Sequence, residues 1–406
     1  MNNFDSAIST PIVSSAAFAY KNSEEAQNIF CGFSPKPLYS RMGNPTSMVL
    51  EKKLAGHDGG VGAVCTSSGM GAISMVVTSL IKNSDEIISI GGLFGGNYAF
   101  FSETLPRFGV KTHFLTMDQI DTLEEYINDN TKIIFCESVG NPNLRLSPIE
   151  KIASYASKHN IAFLVDNTTT PYLKPIEKGA DVVLYSTTKI ISGNSSALGG
   201  AAIFRSIKND NEKFRSNRYE FLQKFIEKLD TKALIGCAKK RALRDFGMSA
   251  NAHASYQTLL GLETLNLRNE KVKSSCEYLA KNLFNSGINV NHPSLSDHVD
   301  NDLYKSDYKD GSGSILTIDM KTKEKAFIFL DNLKNIILTA NIGDSRTLAL
   351  HMGSTIYRDF TDTEKAFLGI TDGLIRFSIG LEDPKEILDD IMNAIECAHN
   401  ECKQQQ

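Results

Sequence analysis

Short apolar runs alternate with helical stretches between about residues 60 and 204. Each run is β-prone and has the length of one buried strand. We predict strands at Glu86–Ile90, Lys111–Thr116, Thr131–Ser138, Ile161–Asn167 and Asp181–Ser186. Because continuous apolar strands that alternate with helices are typical of a parallel sheet covered on both faces, the pattern predicts an α/β fold.

Two helix starts stand out in this region. Ser147 is followed by Pro148, and Glu150 occupies the third helical position, which is the pattern of a capping box with proline where its missing N–H costs nothing. A second helix is predicted from about Ala72 to Lys82, directly after a turn of small residues. The first pattern predicts that the Ser147 hydroxyl caps its helix.

The rest of the chain differs from this alternation. Residues 1–60 have few periodic runs and are predicted to form an irregular N-terminal arm, and residues 61–260 a large domain. Residues 205–232 are rich in Lys, Asn, Asp and Glu, which indicates an exposed excursion. Residues 261–406 mix helices with short strands and are predicted to form a smaller C-terminal α+β domain.

Composition narrows the class of protein. The net charge of -4 gives no electrostatic reason to expect nucleic acid. The 7 cysteines include no Cys-x-x-Cys pair and the histidines are dispersed, which indicates reduced thiols and no metal site. The first residues do not resemble a signal peptide, and no run approaches the roughly 18 apolar residues of a membrane span. These features favour a cytoplasmic protein that binds no membrane.

Lys189 and Asp166 are the first candidates for chemistry. Lys189 follows a buried strand among the hydroxyls of Ser186 and Thr188, where an ammonium is costly to desolvate. Asp166 ends a strongly apolar strand, at the edge where open α/β sheets bind ligands. Such a carboxylate needs a partner, and a protonated pyridine nitrogen would be one. A surface lysine and a structural salt bridge are the alternative interpretations.

Three further segments could bind a ligand. Ser68, Gly69 and Met70 precede a helix, where backbone N–H groups attract anions, although a tight turn would look the same. Phe94 lies in a glycine-rich loop and could stack on a flat ring, or could be a core residue. Arg376 interrupts an apolar strand and could clamp a carboxylate, or could face water on an edge strand.

The order of six motifs along the chain carries a family resemblance. They are Tyr-Ser-Arg-x-Gly-Asn-Pro-Thr from residue 39, Ser-Ser-Gly-Met from 67, Glu-Ser-x-Gly-Asn-Pro-Asn from 137, Val-Asp-Asn-Thr from 165, Ser-x-Thr-Lys from 186 and Arg-x-Ser-x-Gly-x-Glu from 376. In this order the chain resembles the Cys/Met-metabolism enzymes that use pyridoxal 5′-phosphate (PLP), over about residues 8 to 398. The resemblance implies the PLP-dependent transferase fold (fold type I), a mostly parallel sheet covered by helices.

The resemblance also implies roles for the matching positions. Lys189 would carry the cofactor and shuttle protons, and Asp166 would pair with the pyridine nitrogen. Phe94 would stack on the ring. The phosphate would be held by Gly69, Met70, Ser186 and Thr188. Asn141 and Arg376 would bind the substrate carboxylate, while Tyr39 and Arg41 would reach the phosphate of a neighbouring subunit. The chain would then act as a homotetramer with shared active sites.

Several positions depart from the family pattern or are typical of particular members of the family. The family usually has tyrosine where this chain has Phe94, and phenylalanine cannot act as an acid or base. Tyr98 is a possible substitute. Asn341, which we also expect to bind the substrate, resembles the sulfhydrylase members, and Gly96 stands where methionine γ-lyases often carry cysteine. The segment from Ser192 to Ser195 lacks the usual Gly-Gly-His.

These departures favour γ-replacement on an O-acyl-L-homoserine with sulfide or a thiol, because a weakly basic acetate departs without an acid. The alternatives are a γ-lyase that releases a 2-oxo acid and ammonia, including one for an unusual γ-substituted amino acid, a non-catalytic PLP-binding relative, and a simple aminotransferase. The last two fit the intact Lys189 and the motif order less well.

Overall fold

A seven-stranded sheet forms the centre of the protein in this computed structural model, which describes residues 7–34, 36–207, 219 and 222–404. The strands lie in the order β1-β7-β6-β5-β4-β2-β3, and all are parallel except β7, which is antiparallel to both neighbours. Their bounds are β1 Gly62–Thr66, β2 Glu86–Ile90, β3 Lys111–Leu115, β4 Thr131–Glu137, β5 Ala162–Asp166, β6 Val182–Tyr185 and β7 Gly200–Phe204. The predicted α/β fold with a mostly parallel sheet is confirmed.

The five predicted strands form, while β1 and β7 were not predicted. Both begin with glycine, and β7 continues with two alanines, so neither has the dense β-branched pattern of the others. Each pairs along its whole length with a neighbour. Pairing within the sheet therefore makes strands of segments whose own β-propensity is weak.

Apolar side chains pack on both faces of this sheet. Ile87 and Ile88, adjacent in β2, belong to separate buried clusters, as do Val182 and Val183 in β6. Successive side chains of a strand point to opposite faces, so this alternation shows that both faces are covered.

A second, five-stranded sheet lies in the C-terminal part of the chain, in the order β10-β11-β12-β9-β8. Only the β10–β11 pair is parallel. The bounds are β8 Val290–Asn291, β9 Ile315–Asp319, β10 Ile337–Leu338, β11 Leu348–His351 and β12 Leu374–Ser378. A third buried cluster joins this sheet to α10, α12 and α14, whose bounds follow.

Fourteen α-helices surround the two sheets in the described part of the chain. They are α1 Ser23–Cys31, α2 Pro45–Asp58, α3 Gly69–Leu80, α4 Gly95–Ala99, α5 Ile149–Lys158, α6 Gln223–Leu229, α7 Ala233–Ala238, α8 Arg244–Phe246, α9 Ala252–Glu263, α10 Leu265–Asn285, α11 Asn301–Asp307, α12 Lys323–Asp331, α13 Asp362–Leu368 and α14 Pro384–Gln404. Within these ranges no helix combines the length and apolar character needed to cross a membrane.

Two local predictions were wrong. The N-terminal 60 residues are not uniformly irregular, because they contain α1 and α2; α2 starts at Pro45 with the Asn44 side chain accepting from Thr46 N at 3.0 Å. Ser147 does not cap α5, since its hydroxyl donates to the Glu137 carbonyl of β4 at 2.6 Å. The Ser147 hydroxyl therefore bonds to an acceptor that the tertiary fold brings near, and does not cap the helix.

The predicted excursion is only partly described. Residues 208–218, 220 and 221 lie outside the described residues, and α6 begins soon after them. The divisions near residues 60 and 260 remain predictions.

Candidate active site

A cavity of about 220 Å³ opens at the carboxyl end of the parallel strands. Asp166 ends β5, Glu137 ends β4, and Ser186 follows β6, while Arg376 reaches in from β12 of the second sheet. The cavity is lined by Ser68, Gly69, Met70, Ile73, Phe94, Asn97, Glu137, Asn141, Asp166, Thr168, Thr169, Ser186, Thr188, Lys189, Leu198, Ala340, Ile342 and Arg376. This edge is where open α/β sheets bind ligands.

The structure brings most of the predicted site residues together here. Ser68, Gly69, Met70, Phe94, Asn141, Asp166, Ser186, Thr188, Lys189 and Arg376 all line the cavity. Asn341 does not line it, but its Oδ1 accepts from Lys189 Nζ at 2.5 Å. Tyr39 and Arg41 lie elsewhere: Tyr39 is exposed, and the Arg41 guanidinium donates to the backbone carbonyl of Arg244.

Lys189 has the environment of a reactive amine. It lies in the turn that follows β6, and its backbone N donates to Ser186 O at 3.3 Å. Burial, together with the positive charge of Arg376, lowers the pKa of Lys189 to about 8. A lysine with this pKa is partly neutral near neutral pH and can act as a nucleophile or a base.

The Asp166 carboxyl group is held by neutral donors among the described residues. It accepts from Thr168 N at 3.1 Å, from Thr168 Oγ1 at 2.6 Å and from Asn97 Nδ2 at 3.2 Å. Burial raises the pKa of Asp166, and within the described ranges no Lys, Arg or His forms an ion pair with it. The structural salt bridge, the alternative interpretation, is thus not found there. A protonated ring nitrogen fits this position.

Glu137 and Asn97 were not singled out from the sequence. Glu137 Oε1 accepts from Phe94 N at 2.7 Å and from Asn97 Nδ2 at 2.8 Å. Burial, and then the charge of neighbouring Asp166, raise the pKa of Glu137 well above its ordinary value. Asn97 therefore bridges two carboxyl groups and fixes the loop that carries Phe94. Only the position of Glu137 at the start of a motif could have drawn attention to it.

The start of α3 suits an anion. The Ser68 hydroxyl accepts from Gly71 N at 3.0 Å, so this side chain caps the helix that begins at Gly69. A Cβ on Gly69 would lie 2.6 Å from the Ser186 Cβ, so only glycine allows the two segments to approach this closely. The juxtaposed N–H groups and hydroxyls can hold a phosphate.

Arg376 is a buried cation with a donor to spare. Nη1 donates to Asn141 Oδ1 at 3.1 Å and Nη2 to Asn341 O at 3.4 Å, while no described acceptor lies at Nε. Burial lowers the pKa of Arg376 to about 10. Since its described partners are all neutral, a substrate carboxylate would complete the site. The edge-strand alternative is wrong, because β12 lies between β11 and β9.

Phe94 exposes part of its ring to the cavity, and Tyr98 does not replace its missing hydroxyl. The Tyr98 ring packs on Phe114 at a centroid distance of 4.7 Å and on Phe360 at 5.5 Å. Tyr98 does not line the cavity, and burial raises its pKa to about 12. The walls contain no tyrosine, histidine or cysteine among the described residues.

These features fit PLP: a lysine of lowered pKa, a carboxyl group for the pyridine nitrogen, a phosphate cradle and an aromatic ring all face one cavity. The family model for Cys/Met metabolism PLP-dependent enzymes matches residues 2–396. A homocysteine synthase of Schizosaccharomyces pombe is 35% identical over 97% of this chain and 95% of its own length. An L-methionine gamma-lyase of Fusobacterium nucleatum is 30% identical over 98% of this chain and 95% of its own.

A solved structure agrees with both. A Campylobacter jejuni protein assigned as an O-acetylhomoserine (thiol)-lyase, crystallised with N'-pyridoxyl-lysine-5'-monophosphate, superposes with a TM-score of 0.89 at 34% identity over 96% of each chain. The predicted cofactor and fold are therefore confirmed. On the match over nearly its whole length, this chain belongs to the Cys/Met metabolism family of PLP-dependent enzymes.

Proposed function

We propose that this enzyme catalyses γ-replacement on an O-acyl-L-homoserine, with sulfide or a thiol as the incoming group. The Cγ–O bond breaks, a carboxylate such as acetate leaves, and a Cγ–S bond forms. The names of the yeast and Campylobacter relatives support this reaction.

The presence of Phe94 in a cavity whose described lining has no tyrosine, histidine or cysteine carries this proposal. A departing thiolate is a strong base and benefits from a proton donor, whereas acetate departs without one. Phe94 has no proton to give, and Tyr98 packs away from the cavity. Among the described lining residues no tyrosine, histidine or cysteine can serve as the proton donor, which favours a weakly basic leaving group over a thiolate.

Each residue of the cavity would have a separate role in this reaction. PLP supplies an electron sink that makes the protons at Cα and Cβ removable. Arg376 and Asn141 would hold the substrate carboxylate, and Lys189 Nζ would take and return protons above the Cα–Cβ bond. Asp166 would keep the proton on the ring nitrogen, and Phe94 would stack on the ring and exclude water.

The test compares two reactions of the purified holoenzyme. We expect O-acetylhomoserine and sulfide to give homocysteine faster than methionine gives 2-oxobutyrate and methanethiol. A faster reaction with methionine would overturn the proposal. O-acetylhomoserine without sulfide is the control for background elimination.

A γ-lyase is the second candidate, favoured by the 30% identity to the Fusobacterium methionine gamma-lyase. It would release a 2-oxo acid and ammonia without an added thiol. An acid other than a tyrosine at position 94 would then have to assist the leaving group. Assays of methionine, cystathionine and other γ-substituted amino acids for a 2-oxo acid distinguish it from the first candidate.

We further propose a homotetramer, built as a dimer of dimers, in which Tyr39 and Arg41 serve the phosphate site of a neighbouring subunit. Both lie outside the cavity of their own chain, and the Arg41 guanidinium stands 5.8 Å from the Tyr39 ring centroid. Mixing Arg41→Ala subunits with Lys189→Ala subunits tests this, because a hybrid pair would contain one complete site. Recovered activity is expected, and its absence after verified subunit exchange would exclude sharing.

We also propose a cytoplasmic location. Six cysteines are unpaired thiols, namely Cys31, Cys65, Cys136, Cys237, Cys276 and Cys397, and the second to fifth of these are buried. Reduced thiols are typical of the cytosol. Fractionation of cells that express the chain at its native level would test the location.

A further inference from the structure

Ser195 adopts a backbone conformation that serine rarely takes. Its φ is +57°, in the left-handed region that favours glycine. For a residue with a Cβ, this conformation is sterically unfavourable. A local reason for such strain is a side chain with a particular partner.

The Ser195 hydroxyl joins two residues next to Lys189. It donates to Asp344 Oδ2, and it accepts from Asn341 Nδ2 at 2.8 Å. Asn341 Oδ1 in turn accepts from Lys189 Nζ at 2.5 Å. A continuous chain of hydrogen bonds thus runs from Asp344 through Ser195 and Asn341 to the amine of Lys189.

Asp344 determines which groups donate and which accept in this series of hydrogen bonds. Its side chain is buried, and Arg346 binds both carboxylate oxygens, with Nε at 2.7 Å from Oδ1 and Nη2 at 3.0 Å from Oδ2. Burial opposes ionisation, but hydrogen bonds from Arg346 and Ser195 lower the pKa of Asp344 to about 2. Asp344 is therefore ionised and can only accept.

Because the Asp344 carboxylate can only accept, it fixes the orientation of the Ser195 hydroxyl and, through it, of the Asn341 amide. The Ser195 proton must point to Asp344, so its oxygen lone pair faces Asn341. The Asn341 amide must then direct its NH₂ to Ser195 and its carbonyl oxygen to Lys189. Without the hydroxyl, the amide loses the contact that fixes this orientation and could present NH₂ to the lysine.

We propose that Ser195 is a positioning residue for Lys189: through Asn341 it keeps a hydrogen-bond acceptor at the place where the lysine amine waits when it is released from the cofactor. The inference rests on the proposed role of Lys189 and on no particular substrate. It explains why the strained backbone at Ser195 carries a hydroxyl at this point in the fold.

Displacement of Lys189 by glycine in the full-length holoenzyme tests the proposal. Glycine has no γ-substituent, so neither replacement nor γ-elimination can occur, and binding is read from the change in cofactor absorbance. We expect Ser195→Ala to weaken displacement on the order of threefold to tenfold, because the released amine loses a fixed acceptor. The loss should be larger at pH 7 than at pH 9.5, since the protonated amine depends most on that acceptor.

Matched variants separate the hydroxyl from the backbone. Ser195→Gly removes the hydroxyl and also relieves the strain, so we expect the same pH-dependent loss as for Ser195→Ala. Asp344→Asn can donate to Ser195 and should also weaken displacement. Ser196→Ala is the control, because among the described residues the Ser196 hydroxyl bonds only to nearby Asn194 Oδ1, at 2.6 Å, and the variant should behave like the wild type.

Each outcome either supports or overturns the positioning role of Ser195. Loss in both Ser195 variants with a normal Ser196→Ala supports the positioning role. Wild-type displacement in Ser195→Gly, or equal losses in Ser196→Ala, would overturn it by assigning the effect to loop conformation. Because glycine reports on Lys189 alone, a failure of the O-acylhomoserine proposal would leave this test unaffected, whereas a Lys189→Ala protein with the wild-type absorbance would refute the role of Lys189 itself.

Discussion

The two sides of the cavity are held by different contacts. On the side of the seven-stranded sheet, Asp166 and Ser186 lie at strand ends, and backbone N–H groups of Thr168 and the start of α3 complete the surface. On the side of the five-stranded sheet, Arg376 and Asn341 depend on side chains from distant parts of the chain. The proposed cofactor side is thus formed mostly by strand ends and backbone N–H groups, with Asn97 as one distant side-chain partner of Asp166. The proposed substrate side depends on side chains that lie far apart in sequence, and both sides include Lys189.

Lys189→Ala should have the largest effect, because Lys189 belongs to both sides. Turnover should fall by about 10³- to 10⁴-fold, as expected for loss of a general base, and the absorbance of lysine-linked cofactor should disappear. Steady-state assays and a visible spectrum measure both. Lys178→Ala, which removes a lysine paired with Asp307 at 3.0 Å, is the control and should remain active.

Asp166→Asn tests the cofactor side. The amide can still accept from Thr168, but it carries no negative charge and so cannot stabilise a protonated ring nitrogen as a carboxylate does. We expect kcat to fall by about 10²-fold or more, by analogy with removal of one preorganised electrostatic group. Full activity in the variant would show that Asp166 is structural.

Arg376→Lys tests the substrate side. Lysine keeps the charge but loses the planar pair of donors, so KM for the amino acid should rise about 10- to 100-fold, with a smaller change in kcat. Cofactor content should be unchanged, and the effect on KM separates this variant from Asp166→Asn, which should lower kcat. A fall in kcat with unchanged KM would contradict carboxylate binding.

Phe94→Tyr alters the leaving-group end of the cavity. The new hydroxyl could protonate a thiolate, so the ratio of methionine cleavage to O-acetylhomoserine replacement should rise by roughly tenfold. Tyr98→Phe is the matched control, because that hydroxyl lies outside the cavity and its removal should leave the ratio unchanged. An unchanged ratio in Phe94→Tyr would remove the main support for the leaving-group argument.

The smallest expected effect concerns the influence of the Arg376 charge on the pKa of Lys189. Burial and then Arg376 lower the pKa of Lys189 to about 8. Arg376→Gln removes the positive charge, so this pKa should rise, and the acid limb of the kcat profile should move to higher pH. Arg376→Lys retains the charge and should leave the limb in place, and identical profiles for the two variants would exclude the coupling.

The sequence alone determined the features that depend on short segments. The five segments predicted to be strands became strands, and Asp166 and Lys189 could be selected because Asp166 ends such a strand and Lys189 follows one. Six motifs in one order identified the family and the cofactor. These features could be predicted because strand ends, turns and motifs are local in the chain.

Only the tertiary structure decided what depends on partners far apart in sequence. The Ser147 hydroxyl donates to the backbone carbonyl of Glu137 in β4 instead of capping its helix, and the Asn97 side chain bridges the carboxyl groups of Glu137 and Asp166. Ser195 meets Asn341 across 146 residues. Hydrogen bonds of side chains go to whichever partner the fold brings within reach, and no pattern of neighbouring residues records that choice.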